Sequence, residues 1–371
     1  MTAPRDRLLG VDAARAVALV GMFSTHTLPL RAPDGSESWT GLLADGRSSA
    51  LFAVLAGVGV ALSTPRPPDA RAHLAAGAGL LVRGVLVGLL GLTLVGLDPP
   101  VAVILAYYGL LFVIAIPLLR LPAAALGFGA VLVGIGMPFL SHLLRTGLPD
   151  GPGEQAGLAA LAEPGDLLVT LALTGYYPVL PWTAYLLAGM AVGRLDLRRV
   201  RVAVALLVGG GLLAAVAAAV SAVLVRDAGL DRVEMLRRQY GSTPTDTWWW
   251  LAVDIPHSGT PFDLVHTIGT ALAVLGLMLL LAHVSRALVW VPAAVGAIPL
   301  TLYTLHVVLL AAYPAEGDGR GTVLLAHLAG ALVIGVGLRA AGRRGPLERV
   351  VSGLGRAARD SVGERGARHR A

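Results

Sequence analysis

The chain has 371 residues, of which 56% are hydrophobic and only 14% charged, with a mean hydropathy of +0.74 and a formal net charge of +6. Because soluble domains carry about 25% charged residues, most of this chain is expected to lie away from bulk water. The absence of cysteine excludes disulfide frameworks and zinc fingers, and the apolar composition excludes disordered and collagen-like chains.

Apolar windows long enough to cross a bilayer recur along the whole chain, since one span needs about 20 residues. The sequence predicts ten, near residues 9–30, 47–64, 74–97, 99–119, 121–143, 176–194, 202–225, 263–285, 292–313 and 321–341. A further apolar stretch, residues 158–175, is broken at residues 163–166 and predicts a re-entrant or interfacial helix, or an eleventh span. The predicted fold class is therefore an all-α, polytopic membrane helix bundle of ten or eleven transmembrane helices.

The arginines indicate how this bundle is oriented. All 29 basic residues are arginine, and many flank the windows on one side: Arg5, Arg7, Arg66, Arg71, Arg120, Arg194, Arg198, Arg199, Arg201 and Arg286. The alternate loops hold most of the acids, although the loop after the seventh window also contains arginine. Ten spans with both termini in the cytoplasm satisfy the positive-inside bias. A pI near 10.1 would suggest a nucleic-acid partner in a soluble protein, but here orientation explains it and no nucleic acid is expected.

The chain divides by composition into two regions. Residues 1–342 form the predicted transmembrane domain, and residues 343–371 form an arginine-rich cytoplasmic tail that is either a surface helix or disordered. Asp12 and Arg15 interrupt the first apolar window, so no cleaved signal peptide is expected.

Three polar residues in the first window stand out. Asp12 and Arg15 are spaced i and i+3, so they can pair on one helix face. His26 lies eleven residues after Arg15 on the same stripe, about 16 Å further along the helix axis. The alternative is a structural salt bridge and a packing histidine, but polar residues that share a stripe inside a membrane favour a functional site.

Later windows supply weaker candidates. Arg47 opens the second window near His26, with an interfacial arginine as the alternative. Tyr303 and His306 share a helical face in the ninth window, where a buried Tyr–His hydrogen bond is the alternative. Residues 248–257 hold three consecutive tryptophans and His257; an interfacial position is favoured over a sugar-stacking platform.

Known metal, nucleotide and nucleophile motifs are absent from the sequence. There is no HExxH, CxxC, GxxxxGK[ST] or GxSxG segment. No metal is therefore expected.

Several motifs together resemble a known membrane family. Arg15 and His26, separated by ten residues, resemble the R-x10-H signature of the acyltransferase-3 family. Residues 7–15 and 52–59 resemble the heparan-α-glucosaminide N-acetyltransferase-like proteins and their bacterial YeiB-like branch. Residues 177–182, which end at Trp182, and residues 189–194, 299–303 and 345–348 resemble the same branch. The resemblance runs from about residue 7 to residue 350.

The resemblance implies a multi-pass enzyme of the bacterial plasma membrane. It would transfer an acyl group, expected to be acetyl, from cytoplasmic acyl-CoA to an acceptor at the outer side. The acceptor would be sugar-like, or another small molecule or glycan. By the same resemblance His26 would be the acyl-transfer base or a transient acyl carrier, Arg15 would stabilise charge on the donor, and Asp12 would orient Arg15.

Further residues are assigned to substrate and donor. Arg47, Tyr303, His306 and Trp182 are expected to bind the acceptor. Acyl-CoA carries phosphates, and Arg66, Arg71, Arg194 and Arg198 on the cytoplasmic side could hold them. The expected partners are the lipid bilayer and the substrates, and association of the chain into a homo-oligomer stays open.

Two other classes of function stay open. A transporter or permease is the first alternative, although Asp12 is the only acid well inside a predicted span, which argues against ion coupling. A non-catalytic membrane protein of the same fold is the second.

Overall fold

The computed structural model describes residues 8–148, 155–230 and 241–368, and this part of the chain is a bundle of helices with no β-strand. Arg5 and Arg7, predicted to mark the cytoplasmic start of the first span, lie outside the described residues.

The helices are named here in chain order. They are α1 Leu9–Thr27, α2 Trp39–Ala44, α3 Arg47–Ser63, α4 Ala70–Val95, α5 Leu105–Leu118, α6 Ala123–Leu144, α7 Pro164–Val169, α8 Val179–Gly193, α9 Val200–Asp227, α10 Pro261–Val284, α11 Arg286–Val295, α12 Pro299–Ala312, α13 Arg320–Ala340 and α14 Pro346–Arg368. Short 3₁₀ turns occur at Leu158–Ala162, Trp248–Ala252 and Gly317–Gly319, and a π turn at Thr170–Thr174.

The described helices confirm a helical membrane bundle. Six segments are long and apolar enough to cross a membrane, or up to eight if each of two bent pairs is one span. α1 falls outside that count because Asp12 and Arg15 lower its hydropathy, and α5 because it has only 14 residues. The ten crossings therefore remain a prediction, as does the side on which the termini lie.

Two of the predicted windows differ from the helices that form. The window at residues 99–119 becomes a helix only from Leu105. Before it, the Gln155 side chain accepts from Val103 N at 2.7 Å and donates to the Val101 carbonyl oxygen at 3.1 Å, so these backbone groups are satisfied outside a helix. The window at residues 292–313 is cut by a 51° bend between α11 and α12. Pro299 has no backbone N–H to continue α11, and it takes the first position of α12 instead.

α1 packs against α3, α10, α11 and α13. Its small residues Ala13, Ala14 and Ala18 are fully buried, which lets neighbouring helices approach closely. Gly296, at the α11–α12 bend, lies so close to α1 that an added Cβ would overlap the Asp12 carbonyl oxygen. Asp12 is thus surrounded by protein.

α3 and α8 cross at two glycines. A Cβ on Gly57 would overlap the carbonyl oxygen of Leu186, and one on Gly189 would overlap that of Val54. Because no driving force other than packing and polar contacts joins helices inside a bilayer, this close approach fixes α3 against α8. It holds the first turn of α3 in a defined position beside α1.

The arginine-rich tail forms a helix that packs on the bundle. α14 lies along α4, where Gly355 meets Gly79 closely enough that neither tolerates a larger side chain. Glu348 caps α12 by accepting hydrogen bonds from Thr301 N at 3.1 Å and Thr301 Oγ1 at 2.5 Å. The motifs at residues 299–303 and 345–348 are therefore two halves of one contact.

Candidate functional site

A small cavity lies beside the C-terminal end of α1, where α2, α3 and α12 meet the loops that carry Ile104, Tyr177 and His257. Its volume is about 30 Å³, enough for one or two water molecules. The polar side chains that line it are Thr25, His26, Ser48, Ser49, Tyr177, His257 and Tyr303. Two residues predicted from sequence, His26 and Tyr303, therefore share this cavity although they lie in the first and the ninth predicted windows.

Asp45 and His257 form a pair at the cavity. Gly46 has φ of 67°, and its missing side chain lets Pro256 pack directly against the turn that precedes α3. His257 itself has φ of 64°, in the left-handed region that non-glycine residues rarely adopt. This arrangement sets His257 Nε2 3.4 Å from Asp45 Oδ1, with both side chains largely buried. A histidine oriented by a carboxylate is the usual arrangement of a general base.

His26 is connected to two further histidines on its other side. Its Nδ1 lies 3.0 Å from His306 Nε2, and His306 Nδ1 lies 2.9 Å from His327 Nδ1. Phe23 stacks on the His306 ring with centroids 4.1 Å apart. No described residue bonds to His26 Nε2, so this nitrogen is the one that can meet a ligand in the cavity.

Asp12 and Arg15 form the predicted i, i+3 ion pair. Arg15 Nη1 lies 2.8 Å from Asp12 Oδ1, with the Asp12 side chain 2% exposed and the Arg15 side chain 22% exposed. The guanidinium lies over Gly59 of α3. Arg83 lies close enough to both Arg356 and Arg15 for their charges to act on it. Positive charge therefore collects about three helical turns from His26.

The predicted acceptor-binding residues occupy different positions. Tyr303 lines the cavity and accepts a hydrogen bond from Ile104 N at 3.3 Å. The Tyr303–His306 hydrogen bond, the alternative to a functional role, does not form, because both His306 nitrogens are engaged by other histidines. Arg47 is half-buried beside the cavity, with its Nη1 3.5 Å from the Asp45 carbonyl oxygen. Trp182 is 2% exposed and packs edge-on against Tyr177, so it reaches the cavity only through that ring.

The four arginines assigned to the donor phosphates do not form one cluster. Arg194 Nη2 donates to the Leu119 carbonyl oxygen at 2.6 Å, and Arg66 lies close enough for its charge to act on that of Arg194. Arg71 donates to the Gly363 carbonyl of α14, and Arg198 is exposed. Arg66 and Arg194 are thus neighbours, whereas the other two have separate surroundings.

Three residues at the site were not assigned a role from the sequence. In the sequence, Asp45 is one of the acids of the alternate loops, and His257 belongs to the tryptophan-rich segment at residues 248–257. His327 could have been identified from the sequence as a candidate site residue, because it is an ionisable residue inside the predicted window at residues 321–341. In residues 8–148, 155–230 and 241–368, no three histidine or acidic side chains are arranged to hold a metal ion.

The sequence matches one protein family. The family model described as "Heparan-alpha-glucosaminide N-acetyltransferase, catalytic" matches residues 7–223, more than half of the chain. The matched segment includes Asp12, Arg15, His26 and Asp45, whereas His257, His306 and His327 follow it. No curated protein and no solved structure matches the chain.

Proposed function

Because this chain belongs to the heparan-α-glucosaminide N-acetyltransferase catalytic family, we propose that it is a membrane acyltransferase. It transfers an acetyl group from cytoplasmic acetyl-CoA to the hydroxyl or amine of a sugar-like acceptor at the outer side. One observation supports this activity above the others. The uncommitted Nε2 of His26 shares a cavity with His257, whose Nε2 contacts Asp45, and this supports a nucleophile that acts together with a general base.

We assign His26 the role of acyl carrier. Its Nε2 attacks the thioester carbonyl carbon, an N–C bond forms as the C–S bond breaks, and CoA leaves as the thiolate. The acceptor then attacks the same carbon and the N–C bond breaks. His257, oriented by Asp45, takes the proton of the acceptor, and that proton is finally released to balance the thiolate. A carrier lets the donor and the acceptor arrive separately from opposite sides.

The remaining assignments follow the chemistry of the two substrates. Tyr303 and Arg47 contact the acceptor at the cavity, and Trp182 acts through Tyr177. Arg15, oriented by Asp12, stabilises negative charge on the donor. The phosphates of acyl-CoA, the donor substrate, are held by Arg66, Arg71, Arg194 and Arg198 on the cytoplasmic side.

This assignment implies a specific topology. The chain crosses the membrane ten times, has both termini in the cytoplasm and resides in the bacterial plasma membrane. The distribution of arginines between alternate loops supports this arrangement.

A transporter is the second candidate, and one observation favours it. Two bent helix pairs, with angles of 64° and 51°, resemble the broken helices at which carriers bind their substrates. Against it, ion-coupled carriers generally use carboxylates near mid-membrane, whereas Asp12 is already committed to Arg15.

The two functions are separated by reconstituting the purified protein in liposomes. With radiolabelled acetyl-CoA on one side and glucosamine or an alkyl glucoside on the other, we expect labelled product that requires the protein and both substrates. Flux of labelled sugar at the same rate without any acyl donor, and no acylated product, would contradict the enzyme and support the transporter. Empty liposomes are the control.

A further inference from the structure

The acyl-transfer steps above use one nitrogen of His26 and leave two histidines without a role. His306 is 2% exposed on α12, and His327 is half-buried on α13. Together with His26 on α1 they form an unbroken line of imidazoles with N···N distances of 3.0 and 2.9 Å. Three separate helices contribute one histidine each, so no single sequence motif produces this line.

Hydrogen atoms restrict how the line can be arranged. Each N···N contact accommodates one hydrogen, and a neutral imidazole has one N–H and one acceptor nitrogen. Two arrangements satisfy both contacts. In the first, His26 Nδ1–H donates to His306 Nε2, His306 Nδ1–H donates to His327 Nδ1, and His26 Nε2 presents a lone pair to the cavity. In the second, every donor and acceptor is reversed, and His26 Nε2 carries a hydrogen.

His283 in the same chain has a different environment. It is exposed, and its two nitrogens contact the carbonyl oxygens of Leu279 at 2.7 Å and Arg198 at 2.8 Å, so only a doubly protonated ring donates to both. A carbonyl oxygen accepts a hydrogen bond but cannot pass a proton on, whereas an imidazole can accept a proton at one nitrogen and release one from the other. Phe23, stacked on His306, keeps that ring in the plane the line requires.

We propose that His306 and His327 form a proton relay that fixes the reactive tautomer of His26 and stores its Nδ1 proton between the two half-reactions. The relay rests on the proposed function, because acylation of His26 creates the positive charge that the relay moves. His306 and His327 are positioning residues that act through His26.

The relay neither gains nor loses a proton over the two half-reactions. When His26 Nε2 takes the acyl group, its ring becomes cationic. His26 Nδ1 then gives its proton to His306 Nε2, and His306 Nδ1 gives its own proton to His327 Nδ1. His327 becomes the imidazolium, and the acyl-imidazole is neutral. When the acceptor removes the acyl group, the protons return along the same line, so His26 leaves as a neutral imidazole rather than as an imidazolate.

Diethyl pyrocarbonate tests the relay without any acyl-CoA. This reagent transfers an ethoxycarbonyl group to an unprotonated imidazole nitrogen, and mass spectrometry of the His26 peptide gives the rate at that residue. His306→Leu removes the partner of His26 Nδ1, and we expect the rate to fall about tenfold, as for one lost hydrogen bond. His327→Leu, at a half-buried position, should slow it about threefold or more by the same argument. His73, on α4, is the internal control in each digest.

His306→Gln separates the two roles of the relay. The glutamine carbonyl can still accept from His26 and its amide can still donate to His327, so the ethoxycarbonylation rate should stay within about threefold of wild type. Acyl turnover in this variant should nevertheless fall about tenfold or more, because an amide does not exchange the proton.

Unchanged His26 modification in both folded leucine variants would overturn the relay, as would full acyl turnover in His306→Gln. Folding is checked by size-exclusion chromatography and thermal unfolding; if His306→Leu does not fold, His327→Leu and His306→Gln still decide the question. The outcome is distinguishable from failure of the proposed function. A protein without acyl transfer whose His26 modification depends on His306 and His327 would refute the enzyme and leave the tautomer control standing.

Discussion

His26→Ala is expected to lower acyl turnover by about a thousandfold or more, because it removes the group that accepts the acyl chain. The neighbouring groups cannot replace it. His306 has both nitrogens bound to other histidines, and His257 is paired with Asp45. The measurement is the initial rate of label transfer from acetyl-CoA to the acceptor, made on purified protein of matched monodispersity.

His73→Ala is the matched control for this substitution. It also removes one histidine, but His73 lies in the first turn of α4, and its Nδ1 has no hydrogen-bond partner in the described part of the chain. We expect its turnover to stay close to wild type. Equal turnover of His26→Ala and His73→Ala would show that the reaction does not pass through His26.

Gly189→Val is expected to prevent the bundle from folding. The valine side chain would enter the space of the Val54 backbone, so α3 and α8 would have to separate along their crossing. Overpacking of ordinary side chains costs about 1–3 kcal/mol, and a backbone clash with no flexible neighbour should exceed that range. The yield of monodisperse protein and its thermal unfolding temperature report the result.

Gly136→Val on α6 provides the comparison for Gly189→Val. It makes the same change inside a membrane helix, but no atom lies within 4 Å of the added Cβ. This variant should be produced and unfold like wild type. If Gly189→Val also behaved like wild type, the close crossing of α3 and α8 would be wrong, and with it the position of the first turn of α3 beside His26.

The local geometry of α1 could be predicted from the sequence. The i, i+3 spacing of Asp12 and Arg15 determines which side chains can meet once a helix forms, and the two do meet, at 2.8 Å. The helical windows follow in the same way, because hydrophobicity reports which segments avoid water. These are properties of neighbouring residues, which a single sequence contains directly.

The contacts around His26 could not be predicted in this way. His26 and His306 are 280 residues apart, and their contact depends on how α1, α12 and α13 pack. The α11–α12 bend was also missed, because hydropathy measures apolar content and does not record a change of helix direction. Asp45 and His257 meet through the turn at Gly46 and the loop at Pro256, whose backbone conformations no periodic pattern specifies.

The central claim, that His26 carries the acyl group, is tested most directly by trapping that group on the protein. Purified protein is mixed with radiolabelled acetyl-CoA without acceptor, quenched rapidly and mapped by peptide mass spectrometry. We predict one acetyl group on the peptide that contains His26, which disappears when acceptor is added and is absent from His26→Ala. Acyl transfer at the normal rate with no acetyl on His26, or with acetyl on another residue, would contradict the account.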